Sequence, residues 1–331
     1  MRILAGDIGG THTRLIVADI LSGQRKILAE VFYPSQKYTS LIVIIHKFLA
    51  SFDLSDSINV ACIAVAGPVI EGSAAVTNLP WVVNEKELSE KFNIPKVKVI
   101  NDFSAITYGI SELKSSDTLT LQRGSLNDCL TTHPDAAVIG AGTGLGVSHR
   151  VWTGNQYLAY SSEAGHTGFA PENEQQRQLL EWLQSNSTHV SLEMLLSGRG
   201  IYTIYQFLHE SSGLAESATV RTAMSQSDPA KIITEAALSN NDELSSKTIE
   251  CFIDIYGAAA GNIALNYFPV GEVYIAGGIA AKISERLATS RFINAFISKG
   301  IMTKSLKKLP VKLITQEKVG LYGALIKAQS L

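Results

Sequence analysis

Ala136-Ala-Val-Ile139-Gly-Ala-Gly142-Thr143-Gly144-Leu-Gly146-Val-Ser-His-Arg-Val151 is the stretch whose reading decides the fold. Ala136–Ile139 reads as a short buried strand, Gly140–Gly146 as a glycine turn, and Val147–Val151 as the returning strand. Bare Cα positions let backbone N–H groups approach an anion, so Gly142, Thr143 and Gly144 are candidate phosphate contacts. The run matches neither the dinucleotide fingerprint nor the Walker loop. Its glycine spacing differs and no Lys-Ser or Lys-Thr follows.

The same strand, glycine turn and strand stand at the start of the chain. Apolar Ile3-Leu4-Ala5 leads into Gly6-Asp7-Ile8-Gly9-Gly10-Thr11, and Thr13–Ala18 returns. Thr11 and Thr13 add hydroxyl donors, and Asp7 is placed to hold a divalent cation through water, since Mg²⁺ dehydrates reluctantly. Taken singly, either turn also reads as an ordinary glycine hairpin. Two of them in two half-chains suggest a duplicated α/β fold that clamps a nucleotide between domains. Between them lie a third strand near Ile27–Phe32, a helix over Leu41–Leu49, a strand at Asn59–Val65 and a helix over Glu85–Lys91. Three strands without a long connection, followed by strand-helix alternation, argue for a mixed sheet.

Lys96-Val-Lys-Val-Ile-Asn101-Asp102-Phe-Ser-Ala105 reads as a strand that stops at an adjacent amide and carboxylate, with a helix behind. Ligands of open α/β sheets bind at the carboxyl ends of strands. Asn101 there suits a substrate hydroxyl and Asp102 suits a proton acceptor; the competing reading makes Asp102 the cap of the next helix. Glu163 and His166 follow in a glycine-bearing loop, and Thr188–Gly198 reads as a helix capped by Ser191 with Glu193 in its first turn. Phe252, Ile255, Tyr256, Ala259 and Ile263 form one helical stripe, with Gly257 and Gly261 set for close helix packing. A buried strand then ends in Gly277-Gly278, bare backbone suited to a flat base. The strand Val311–Ile314 and a small-residue helix, Val319–Ala328, finish the chain.

Composition sets the outer bounds. A chain of 331 residues with 46% hydrophobic and 18% charged residues buries a sizeable core, and a net charge of −2 gives no electrostatic reason to expect nucleic acid or a membrane surface as partner. The apolar run Leu41–Ala50 is interrupted by His46 and Lys47 and is too short to span a bilayer. Cys62, Cys129 and Cys251 lie far apart without metal-ligand spacing, as reduced cytosolic thiols do.

The order of these parts resembles one family, the bacterial glucokinases of the sugar kinase, heat-shock ATPase and actin fold, over nearly the whole chain. Leu4–Leu15 is similar to its first phosphate motif, Ile139–Gly146 to its second and Tyr274–Ile279 to its adenosine motif. Ile100–Phe103 and Gly257–Asn262 resemble the two connecting helices that cross at the interdomain hinge. The resemblance implies duplicated ribonuclease-H-like (actin-like ATPase) domains, mixed sheets flanked by helices and an interdomain cleft. Residues 1–110 would be the small domain, completed by a C-terminal helix at 318–331, and residues 111–317 the large one.

The implied reaction moves the ATP γ-phosphoryl group to the 6-hydroxyl of D-glucose. Asp102 would be the base, and Asn101, Asp102, Glu163, His166 and Glu193 the sugar contacts. Gly6, Asp7, Ile8, Gly9, Gly10, Thr11, Gly142, Thr143 and Gly144 would hold the phosphates with Mg²⁺ near Asp7, and Gly277 and Gly278 would floor the adenine pocket. The family also implies a cytoplasmic homodimer at the first step of glycolysis that closes on glucose. Its zinc-bearing relatives carry a cysteine-rich motif after the sugar-binding histidine. No cysteine follows His166 until Cys251, so no zinc is expected. Ser161-Ser-Glu-Ala-Gly-His departs from the commoner Gly-Glu-Gly-Gly-His. A kinase of another hexose or N-acetyl hexosamine, and a sugar-sensing regulator on the same fold, are the alternatives. Such regulators carry a DNA-binding domain ahead of the first phosphate motif, which here starts within the first ten residues.

Overall fold

A computed structural model describes residues 1–22, 24–54, 58–125 and 132–331, which divide into two compact units. The first comprises Met1–Lys114, Thr153–Ser161 and Gln316–Leu331; the second comprises Ser115–Trp152 and Ser162–Thr315. Thr153–Ser161, counted above with the larger domain, thus falls in the first unit. Cys129 lies outside the described residues.

In the first unit the elements run β1 (Arg2–Ile8), β2 (His12–Leu21), β3 (Gln24–Pro34), α1 (Leu41–Ser51), β4 (Val60–Val65), β5 (Ser73–Ala75), β6 (Val82–Asn84), α2 (Glu85–Phe92), β7 (Lys96–Asn101) and α3 (Asp102–Gly109). The five-stranded sheet has the order β3-β2-β1-β4-β7, an antiparallel meander continued by two parallel strands. Its faces alternate with the pleat. Leu4, Ile8, Leu15 and Val17 join Leu41, Ile44, Ile45, Phe48 and Leu49 of α1 in one core. Ile3, Ala5, Ile16 and Ala18 join Ala105 and Tyr108 of α3 and Leu321, Ala324 and Leu325 of a C-terminal helix, Val319–Gln329, in another. Covered on both faces, β4 is buried throughout, which is why it reads as a continuous apolar run.

Strand β1 is longer than its glycine content suggests. Gly6, Asp7 and Ile8 belong to the ladder, opposite Leu15, Arg14 and Thr13 of β2 and beside Ile63, Ala64 and Val65 of β4. Pairing on both edges overrides turn composition, and the turn shrinks to Gly9–Thr11.

In the second unit come β8 (Thr118–Gln122), β9 (Ala136–Ala141) and β10 (Leu145–Trp152), and the chain passes through β11 (Tyr157–Ser162). Then follow α4 (Glu174–Gln184), α5 (Gly198–Ser211), α6 (Ala218–Gln226), α7 (Pro229–Leu238) and α8 (Glu243–Asn266). β12 (Glu272–Ala276), α9 (Gly278–Lys282), α10 (Ser284–Leu287), α11 (Ser290–Ile297), α12 (Thr303–Leu306) and β13 (Val311–Ile314) complete it. The strands lie in the order β10-β9-β12-β13-β8, with β9, β12 and β13 mutually parallel and β10 and β8 antiparallel at their flanks.

Helix α8 finds its close partner in α11. A Cβ on Gly257 would lie 2.4 Å from Phe292 O, and one on Gly261 2.3 Å from Phe296 O. The close packing read from Gly257 and Gly261 is therefore made with α11. Cys62 and Cys251 are buried free thiols, each pushed up to about 12 by that burial.

The helix expected from Ser191 is absent. Residues 191–197 form turns, with Leu195 and Leu196 N–H both donating to Leu192 O, and α5 starts only at Gly198. Tertiary hydrogen bonds divert the backbone: Glu193 N–H donates to Gly165 O at 2.9 Å, and Ser191 bridges to Gly168. Ser197, not Ser191, is the cap, its hydroxyl accepting Gly200 N–H at 3.1 Å.

Candidate active site

At the end of β7 the amide, and not the carboxylate, caps α3. Asn101 Oδ1 accepts Phe103 N–H at 2.9 Å and Ser104 N–H at 3.2 Å, and its Nδ2 donates to Gly67 O at 3.1 Å. That leaves one of the two amide N–H donors for a ligand. Asp102, the first residue of α3, is half-buried with Oδ1 3.0 Å from Phe103 N. Its place in the first helical turn puts the carboxylate at the positive end of the helix dipole.

The first glycine turn is clamped from within the same unit. Gly9 N–H donates to His12 O at 2.8 Å, and Gly10 is pressed by the neighbouring loop, since a Cβ there would lie 2.7 Å from Thr77 O. Thr11 is exposed. Thr13 is not available to a phosphate: it is fully buried, its hydroxyl 3.0 Å from Ser35 Oγ, which in turn donates to Gly9 O at 2.9 Å. Ser35 thus holds the turn through a contact across β2 and β3 that no local pattern announces. Gly6 and Ile8 offer only strand backbone, the Ile8 side chain lying in the core. Burial pushes the Asp7 carboxyl up from its ordinary value, with the Arg14 charge pulling the other way.

In the second unit, the turn Gly142–Gly144 joins β9 to β10, with Thr143 exposed and nothing within 4 Å of where a Gly142 Cβ would stand. At the end of β12, Gly277 adopts φ +91° and a Cβ on it would lie 2.3 Å from Ala141 O; Gly278 is open. So Gly277 serves the packing of β12 on β9, and Gly278 is the one that presents bare backbone. Between these two strand ends sits the Tyr256 hydroxyl, which the sequence reading counted only as part of an apolar stripe. It accepts Ala141 N–H at 3.1 Å and lies 3.2 Å from Ala276 O, and full burial pushes its pKa up. Tyr256→Phe orphans a buried N–H at the root of the second turn. It is expected to cost about 1–3 kcal/mol in denaturant unfolding and to raise the KM for nucleotide.

Glu163 precedes and His166 ends a single 3₁₀ turn, Ala164–His166, with Oε2 and Nε2 4.0 Å apart and both side chains mostly exposed. Glu193 is half-buried and reaches the same neighbourhood through its backbone bond to Gly165 O. The second unit therefore brings Glu163, His166 and Glu193 together around Gly165, while Asn101 and Asp102 are set by the first unit.

The glucokinase family model matches residues 4–331. A glucokinase from a Nostoc species is 41% identical over 345 residues, with 99% of each chain covered. The crystal structure of a glucokinase from an Antarctic psychrotroph matches at 32% identity with a TM-score of 0.85, covering 100% of this chain and 99% of that one. A ROK family glucokinase from Streptomyces griseus, solved in complex with glucose and AMPPNP, is similar in fold at 19% identity, with a TM-score of 0.67 over 100% of both chains. The chain belongs to the glucokinase family of ATP-dependent hexose kinases.

Proposed function

We propose that the protein transfers the γ-phosphoryl group of ATP to the 6-hydroxyl of D-glucose, giving glucose 6-phosphate and ADP. The observation that carries this reading is the division of labour at the end of β7: Asn101 does the capping, so α3 does not need Asp102 as its cap. Asp102 orients the 6-hydroxyl and accepts its proton, while Asn101, Glu163, His166 and Glu193 take the remaining hydroxyls. The transition state is loose, so positioning and charge neutralisation dominate the rate. The two glycine turns cradle the phosphates with backbone N–H groups, and the open backbone at Gly278 lies under the base.

A divalent cation fits beside Asp7. A Cβ on Gly320 would stand 3.2 Å from Asp7 Oδ2, so the glycine leaves the carboxylate approachable, and among the described residues no three His, Cys, Asp or Glu side chains gather into an all-protein cage. One carboxylate acting through water, with substrate phosphates supplying the rest, is how Mg²⁺ is commonly held. When bound, Mg²⁺ neutralises phosphate charge.

Asp7 also gives a pH signature. Its folded value is raised, so the native state binds the proton more tightly, and stability falls as pH rises from the unfolded value near 3.8 through the folded one. Asp7→Asn is expected to melt higher than the parent at pH 7.5 without ligand, with the advantage gone at about pH 3. Its Mg·ATP affinity falls. Calorimetric scans at both pH values check the first part, and nucleotide titration the second.

The assignment is tested by ADP production from Mg·ATP with glucose, mannose, fructose, N-acetylglucosamine and no sugar. Fast turnover with glucose alone is the expected result. Turnover with another hexose reassigns the sugar, and none with any sugar removes the kinase reading. We assign the reaction to the cytoplasm at the entry to glycolysis; the buried free thiols Cys62 and Cys251 support a reducing compartment. The assembly we propose is a homodimer, which light scattering tests.

A further inference from the structure

Glu193 is tied to the second glycine turn as well as to the loop of Glu163 and His166. Its Oε2 accepts the N–H of Leu145, the first residue of β10, at 2.8 Å. Five residues on, Gly198 N–H donates to Gly142 O at 2.9 Å, and Gly142 N–H donates to Gly144 O at 2.8 Å to close the turn. The segment Glu193–Gly198 thus grips residues 142–145 at both of its ends. A Cβ on Gly144 would lie 2.4 Å from Glu193 Oε2 and would displace that carboxylate, whereas one on Gly142 would meet nothing within 4 Å. Gly165 completes the clamp: its own Cβ would lie 2.2 Å from Leu145 O.

We propose that the second glycine turn is a positioning device for the sugar carboxylate: the Leu145 N–H and the bare Cα of Gly144 hold Glu193 Oε2, present Oε1 to a sugar hydroxyl, and couple glucose affinity to nucleotide binding. This rests on the reading of Glu193 as a sugar ligand. A phosphate seated on the turn acts on Leu145 and Gly142, and through them on both ends of Glu193–Gly198. Linkage makes the effect reciprocal: nucleotide changes glucose affinity by the same factor as glucose changes nucleotide affinity.

The experiment is calorimetric titration of glucose into the full-length protein, with and without Mg·AMPPNP, for the parent and for Gly144→Ala, Glu193→Gln and Glu193→Asp. Gly144→Ala alters no group that touches the sugar, yet it is expected to weaken glucose about tenfold or more without nucleotide, the loss of one charge-assisted hydrogen bond. Glu193→Gln weakens glucose but keeps an oxygen for Leu145 N–H and so keeps the coupling factor; Glu193→Asp, one methylene short, loses both. An unchanged glucose constant in Gly144→Ala alongside weakened glucose in Glu193→Gln overturns the positioning proposal and leaves Glu193 as a sugar ligand. Unchanged glucose in Glu193→Gln overturns the sugar-ligand reading and the proposal with it. Should Gly144→Ala fail to fold, the Glu193→Asp and Glu193→Gln pair decides: equal coupling factors overturn the proposal.

Discussion

Asp102→Asn is expected to lower kcat by about 10²- to 10⁴-fold, the usual contribution of a positioned general base, while the glucose dissociation constant changes only a few-fold. The asparagine keeps an oxygen for the contact with Phe103 N–H, and α3 keeps its true cap, because Asn101 accepts from Phe103 and Ser104. The substitution therefore tests proton acceptance with the helix start preserved. Steady-state kinetics combined with glucose titration reads both quantities. A fall in affinity that matches the fall in kcat/KM would make Asp102 a binding group, and near-parental kcat would remove the base from the mechanism.

Asn101 illustrates what the sequence could and could not say. The run Val97–Asp102 announces a strand that ends in an amide and a carboxylate, and strand and helix meet there. Which of the two side chains caps the helix depends on a geometry that both residue types permit. The helix over Leu41–Leu49 was legible because periodicity survives any tertiary context: Leu41, Ile44, Ile45, Phe48 and Leu49 fall on one face and all are buried. The glycine turns were legible for the same reason, since strands flank them on both sides. Glu193 was not: a sequence with Ser191, Glu193 and apolar Leu192, Leu195 and Leu196 reads as a capped helix, and only bonds to Gly165 and Leu145, far away in the chain, unwind it. Thr13 was misread because its hydroxyl is spent on Ser35, a partner two strand lengths away. Misreadings of this kind fall where long-range hydrogen bonds compete with local propensity, and here they concentrate at the candidate site.

Gly323→Ala is expected to damage the enzyme from outside that site. A Cβ on Gly323 would lie 1.7 Å from Ala105 O and 2.7 Å from Gly109 N, both main-chain atoms of α3, and on the facing side a Cβ on Gly109 would lie 2.2 Å from Val319 O. No rotamer change relieves a clash with backbone, so α3 or the C-terminal helix must move. Overpacking of this kind costs about 1–3 kcal/mol, and a backbone obstacle places this case at the upper end. Because Asp102 opens α3, a helix shift of about 1 Å carries the carboxylate with it, enough to lower turnover about 10²-fold. Denaturant unfolding and kcat measured on the same folded preparation separate the two effects. Lost stability with parental kcat would mean that the C-terminal helix yields and α3 stays, so the position of Asp102 is set by Asn101 and the β7 register. Loss of both would mean that the close crossing of the two helices is what holds the carboxylate in place.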